Sequence, residues 1–163
     1  MPVWETVTST VAAEFSDLAE VRQLTQLALR MVIAALLGGL LGLERELRGK
    51  SAGIRTHMLL AMGAAVFVLV PLQAGMEQEA LSRVIQGLLA GVGLLCAGSI
   101  LKSTGDDQIY GLTTAAGLWM TTAIGVAAGM GREATAVFCT LFALGILALE
   151  GPLGRLRRGK DRA

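Results

Sequence analysis

Five long apolar runs, approximately 24–43, 54–74, 81–101, 112–129 and 134–149, decide what this chain can fold into. Each approaches the roughly 20 residues needed to cross a hydrocarbon core about 30 Å thick. In lipid every backbone N–H and C=O must be satisfied within the protein, which leaves helices or closed barrels. The runs carry no apolar–polar alternation, so a barrel is not indicated. The pattern predicts an all-α integral membrane protein with a bundle of five transmembrane helices. The fifth run is short and would need Leu153 beyond Pro152, or local thinning of the bilayer, to complete its crossing. Composition points the same way: 53% of the 163 residues are hydrophobic, the mean hydropathy is +0.62, and 17% are charged. A soluble domain carries about 25% charged residues.

The net charge of +1 hides an uneven distribution that sets orientation. Arg45, Arg48, Lys50 and Arg55, then Lys102, then Arg155, Arg157, Arg158, Lys160 and Arg162 would share one side of the membrane. Arg22, Arg83 and Arg132 would face the other, with Arg30 inside the first run counted on neither. Short basic loops stay cytoplasmic, so the N-terminus is expected outside and the C-terminus in the cytoplasm. Residues 1–23 hold four acids against Arg22 alone and lack the basic start of a signal peptide, so the first run is expected to stay uncleaved. Val3, Val7, Val11, Phe15 and Leu18 recur there at helical spacing, which suggests an outer amphipathic helix. The chain thus divides into this segment, a transmembrane domain over 24–150, and a basic tail over 151–163 that faces anionic lipid. No nucleic-acid partner is indicated. Cys96 and Cys139 fall inside apolar runs, where a thiol packs as a small residue, and no cofactor fingerprint or metal spacing occurs.

Helices in a bilayer meet through small residues and polar contacts. Ala34, Gly38 and Gly42 recur every four residues in the first run, and Gly87, Gly91 and Gly98 mark the third. Gly117, Thr121, Gly125 and Gly129 mark the fourth. These stripes predict tight helix pairs, with a homodimer contact as a further use of them. Arg30 lies four residues before Ala34, hence on the small-residue face; it either snorkels to the outer interface or pairs with an outer acid. With Arg83 and Gln86 it would form an outer electropositive pocket for an anion or an acidic partner. Thr113 and Thr114 open the fourth run, as caps or as packing residues. Trp119 is expected in a groove and Tyr110 at the interface. Asp106 and Asp107 supply too few oxygen ligands for magnesium.

The stretch GLERELRGKSAGIRTH, residues 42–57, concentrates charge between the first two runs. Glu44 with Arg48 and Glu46 with Lys50 are each four apart, so the first helix can continue past the membrane surface. Gly49 would stop it and Gly53 would allow the return. Topology needs only bases, which leaves the acid and the imidazole unexplained. A fold-back would gather Glu44, Arg45, Arg55, Thr56 and His57, with Thr113 and Thr114 close by, into a cytoplasmic-face polar cluster that clasps the helices or reads a ligand or partner.

That stretch, together with SRVIQGLLAGVGLLCAGSILK and GLTTAAGLWMTTAIGVAAGMG, resembles the MgtC/SapB family of bacterial inner-membrane proteins over approximately residues 27–131. GLLCAG departs from the family's GFLGAG-like run. With thirteen residues after Glu150, the chain is similar to the shorter SapB-type members, without the cytoplasmic C-terminal domain of the virulence-associated proteins. The resemblance implies a link to magnesium homeostasis and stress adaptation, and a partner among membrane complexes such as the ATP synthase. The chain has no Walker A loop, no nucleophile with an orienting base, and no ladder of intramembrane carboxylates, so no enzyme is expected. A non-enzymatic regulator acting by helix contact is the leading expectation. A small oligomeric ion transporter, or an anion- or lipid-binding structural protein, are the alternatives.

Overall fold

The apolar runs become helices whose ends are set by glycine and by charge. The computed structural model describes residues 2–16, 20–102 and 109–149; Asp17, Leu18, Asp106, Asp107 and the basic tail lie outside the described residues. The elements are α1 (Val3–Glu14), α2 (Val21–Leu47), α3 (Ile54–Gln73), α4 (Gln78–Gly98), β1 (Leu101–Lys102), β2 (Ile109–Tyr110), α5 (Leu112–Gly129) and α6 (Glu133–Ala148). Left-handed glycines end α2 at Gly49, turn α3 into α4 at Gly75, and turn α5 into α6 at Gly131. At Gly111, also left-handed, the chain passes from β2 into α5 so close to the Ser99 carbonyl that no side chain would fit. The short antiparallel pairing of β1 with β2 was not foreshadowed in the sequence.

Four helices, α2 to α5, are long and apolar enough to cross a membrane. α6, with 16 residues, rises only about 24 Å and falls short of the hydrocarbon thickness. α1 buries none of its residues and leaves Trp4 bare, and Phe15 just past its end is bare as well.

α3 runs through the middle of the bundle, between α2 on one side and α5 on the other. A Cβ added at Gly38 of α2 would stand 2.6 Å from the His57 carbonyl oxygen and 2.9 Å from Ala61 Cβ. One at Gly42 would stand 2.6 Å from Ile54 Cα. On the opposite side, Cβ atoms at Gly125 and Gly129 of α5 would collide with the backbone carbonyls of Ala61 and Ala65. Ala61 is thus approached by glycine from both flanks. Around it Ala34, Leu37, Leu41, Ala65, Ile124 and Ala128 close the core, and α6 adds Ala136 and Ala143.

The glycines of α4 differ. A Cβ at Gly87, Gly91 or Gly98 meets nothing within 4 Å, so these residues pack no helix of the described chain. α4 leans on the bundle through Leu88, Val92 and Cys96, which cluster with Leu118 and Ala115. Trp119, expected in a groove, is instead about half exposed at 49%, because it is turned about 100° around α5 from the buried Leu118.

This asymmetry gives one substitution opposite outcomes. Gly38→Ala and Gly125→Ala are expected to destabilise the chain by about 1–3 kcal/mol through overpacking against backbone. Gly87→Ala and Gly91→Ala are expected to be neutral, or to gain up to about 1 kcal/mol from helix propensity. Equilibrium unfolding in mixed detergent micelles reads both.

Candidate functional site

The charged stretch folds over the shared end of α2 and α3. In the last turns of α2 the Glu44 carboxylate takes the Arg45 guanidinium through one oxygen, Oε2, at 2.5 Å from both Nε and Nη2. Its other oxygen meets Arg48 Nε at 3.2 Å. Glu46 Oε2 reaches across the turn to accept the Ile54 backbone N–H at 3.0 Å. That N–H is one of the unpaired donors at the start of α3, so Glu46 caps the next helix and its negative charge sits where the helix dipole favours it. A side chain at Gly53 would overlap this carboxylate.

One turn into α3, His57 is fully buried. Its Nδ1 lies 2.7 Å from Thr121 Oγ1 of α5. The Thr121 hydroxyl donates its single proton to the Gly117 carbonyl at 2.9 Å. A ring that donates from Nδ1 satisfies both bonds at once and leaves Nε2 as the bare acceptor. Nε2 has no hydrogen-bond partner among the described residues. The ring runs along Gly117, where an added Cβ would be only 3.7 Å from Cε1. The Arg45 guanidinium is fully buried as well. Because the imidazole donates to the hydroxyl, the pair is a hydrogen-bonded clasp between α3 and α5 and does not have the polarity of a base activating a nucleophile.

The expected seven-residue cluster is corrected by helix geometry. Successive residues on a helix point about 100° apart, so Arg55, Thr56 and His57 cannot share a face. His57 turns inward while Arg55 and Thr56 are exposed. Thr113 is likewise exposed and Thr114 buried. Neither caps α5, whose N-cap is Gly111 without a side-chain bond. Glu44, Arg45, His57 and Thr114 thus belong to the interior or its edge. Thr121 joins them; its signal was its place in the small-residue stripe, one turn after Gly117.

At the other end of α2, Arg30 Nη1 donates to the Gly129 carbonyl at 2.9 Å, and Nε stands 3.9 Å from the Glu133 carboxylate. It thus closes the C-terminus of α5. The outer trio with Arg83 and Gln86 does not form: both are exposed on α4, and Arg83 pairs with Glu79 on its own helix at 2.7 Å.

A family model described as the MgtC family matches residues 31–156. The chain belongs to the MgtC family. It is similar to protein SrpB of Synechococcus elongatus, 43% identical over 81% of this chain and 77% of that protein. It is also similar to the putative magnesium transporter YhiD of Escherichia coli K12, 37% identical over 73% of this chain and 58% of that one. Protein MgtC of Brucella abortus is 41% identical over 74% of this chain and 49% of its own length. The MgtC-family chain thus spans about half to three-fifths of the latter two relatives. No solved structure matches it. The matched region contains the clasp, both glycine stripes and α4.

The clasp makes a coupling measurable. Thr121→Val is expected to cost about 1–3 kcal/mol by leaving a buried imidazole N–H unpaired. The double variant His57→Leu/Thr121→Val is expected to cost less than the two single changes added together, and a double-mutant cycle in detergent unfolding reads the difference.

Proposed function

We propose that this chain is a non-enzymatic regulator in the bacterial inner membrane, linked to magnesium homeostasis, which engages a partner membrane protein by helix packing. On this reading it crosses the bilayer five times, N-terminus outside and C-terminus in the cytoplasm. α6 makes the fifth crossing with local thinning of the bilayer. α1 lies on the outer surface.

The observation that carries the reading is the contrast between two kinds of glycine. At Gly38, Gly42, Gly125 and Gly129 the bundle has closed on itself to backbone contact. At Gly63, Gly87 and Gly91 a groove of about 470 Å³ between α3 and α4 stays open, walled by Leu59, Phe67 and Leu95. A groove with a glycine floor and apolar walls at membrane depth suits a transmembrane helix of another protein, since close packing of small residues drives helix association in lipid.

The runner-up, a small transporter, draws on the description of the relative YhiD as a putative magnesium transporter. The fully buried Arg45 weighs against it, since a buried guanidinium on the α2–α3–α5 interface would repel a divalent cation in a medium of low dielectric. Arg30 repeats the problem at the other end of α2.

Two measurements separate the readings. Purified protein in liposomes loaded with a magnesium-sensitive dye is expected to give no flux above empty vesicles. Gly87→Leu/Gly91→Leu is expected to abolish co-isolation with a membrane partner while leaving the melting temperature unchanged. Magnesium flux that Arg45→Met alters would sink the regulator reading, and so would co-isolation indifferent to the groove.

A further inference from the structure

The polar residues of the outer half of α2 serve neither the clasp nor the α4 groove. Gln23, Gln26 and Arg30 stand at i, i+3 and i+7, which places them on one face of α2. That face lines a recess of about 440 Å³, closed on the other side by Gln73 from the end of α3. Gln73 Nε2 donates to the Gln23 carbonyl at 3.4 Å and so ties the two helices across it. Leu72 and Met130 add apolar wall, and Arg22 and Glu20 stand at the mouth.

Arg30 is the inner end of this recess. It lies nine residues into α2, about 14 Å along the axis, and its side chain is 20% exposed. A guanidinium has five N–H donors. Among the described residues one of them is used, in the bond to the Gly129 carbonyl. The Glu133 carboxylate, at 3.9 Å, is beyond hydrogen-bond reach of Nε. Capping α5 needs one donor, so the remaining fork is surplus to it. An arginine at this depth costs about 2.5–3.5 kcal/mol on insertion scales. Arg30 lines a cavity together with three carboxamides and a second guanidinium.

We propose that this recess is a binding site for a phosphate-type oxyanion, supplied either as the headgroup of an anionic phospholipid or as free phosphate. Arg30 would take two oxygens through its planar fork, the geometry in which guanidinium exceeds ammonium as a phosphate ligand. Gln23, Gln26 and Gln73 would donate to further oxygens, and Arg22 would attract the anion at the entrance. Leu72 and Met130 would pack against the glycerol or acyl part if the source is lipid. Glu20 at the mouth and Glu133 behind Arg30 are the opposing charges. Glu133 offsets part of the Arg30 charge, but at 3.9 Å from Nε it takes none of its donors, so the fork is offered by hydrogen bonding as well as by charge.

The test uses the full chain in a maltoside detergent, titrated calorimetrically with inorganic phosphate, with dihexanoyl phosphatidylglycerol, and with a short-chain diacylglycerol that lacks the phosphate. At least one phosphate-bearing probe is expected to bind saturably and at least tenfold tighter than the diacylglycerol. Gln26→Leu and Arg30→Lys are each expected to weaken it at least tenfold, whereas Arg83→Gln is expected to leave it unchanged. Arg30→Lys keeps the charge and removes the fork. Gln26→Leu leaves the α5 cap alone, and melting temperatures confirm that both variants fold. Binding of both probes assigns the shared chemistry, of phosphatidylglycerol alone a lipid headgroup, and of phosphate alone a soluble anion. No preference over the diacylglycerol, or binding indifferent to both Gln26→Leu and Arg30→Lys, overturns the proposal.

Discussion

Backbone-to-backbone contact at Ala61 is the constraint on which the rest of this structure depends. Gly38 of α2 and Gly125 of α5 reach the same turn of α3 from opposite sides, each close enough that a single methyl group would collide with it. Lipid tails offer leucine nothing that another leucine does not, so area burial cannot hold three helices together in a bilayer as it does in water. Close approach does so through dispersion contacts along the backbone, and only glycine permits it. The contact continues at Gly42, which meets Ile54, and at Gly129, which meets Ala65.

The polar interior follows from that geometry. Once α3 and α5 are in contact, a residue one turn from Ala61 points across to α5 at hydrogen-bond distance, and His57 meets Thr121 there. The bond is short and shielded, and it sets the tautomer of the ring through the second bond that Thr121 makes to Gly117. Arg45 sits at the end of the same interface with Glu44 as counter-ion, and Arg48 supports Glu44 from the exposed side. Removing one partner from such a set leaves a desolvated polar group behind, which is why each depends on the others. Distance between helices, set by glycine, thus decides which polar atoms can be buried at all.

How much of this was legible in the sequence depends on whether the answer lay within one helix or between two. Helix spans, the stop at Gly49, the Glu44–Arg48 pair and the α2 and α5 stripes are local, and period and spacing revealed them. The α4 stripe looked the same as the others, yet Gly87 and Gly91 meet open space, because a sequence shows that a face is small without showing what lies against it. A fold-back brings Arg55, Thr56 and His57 to one end of the bundle, yet helical rotation turns only His57 inward. The bond from Arg30 to Gly129 joins residues 99 apart, and the reach of Glu46 to the start of α3 depends on a turn geometry that spacing alone does not supply. Family membership was legible because its motifs are themselves local strings.

The central claim is that glycine contact brings His57 and Thr121 together into one buried bond. His57 is the only histidine in the chain, so a ¹⁵N-histidine label reports this ring without ambiguity. Solid-state NMR of the labelled protein in lipid bilayers is expected to show a proton on Nδ1, hydrogen-bonded to a threonine hydroxyl and protected from exchange with water. The signal should be lost when Gly125→Ala forces α3 and α5 apart. An Nδ1 that exchanges freely with solvent, or a ring whose signal is indifferent to Gly125→Ala, would contradict the account.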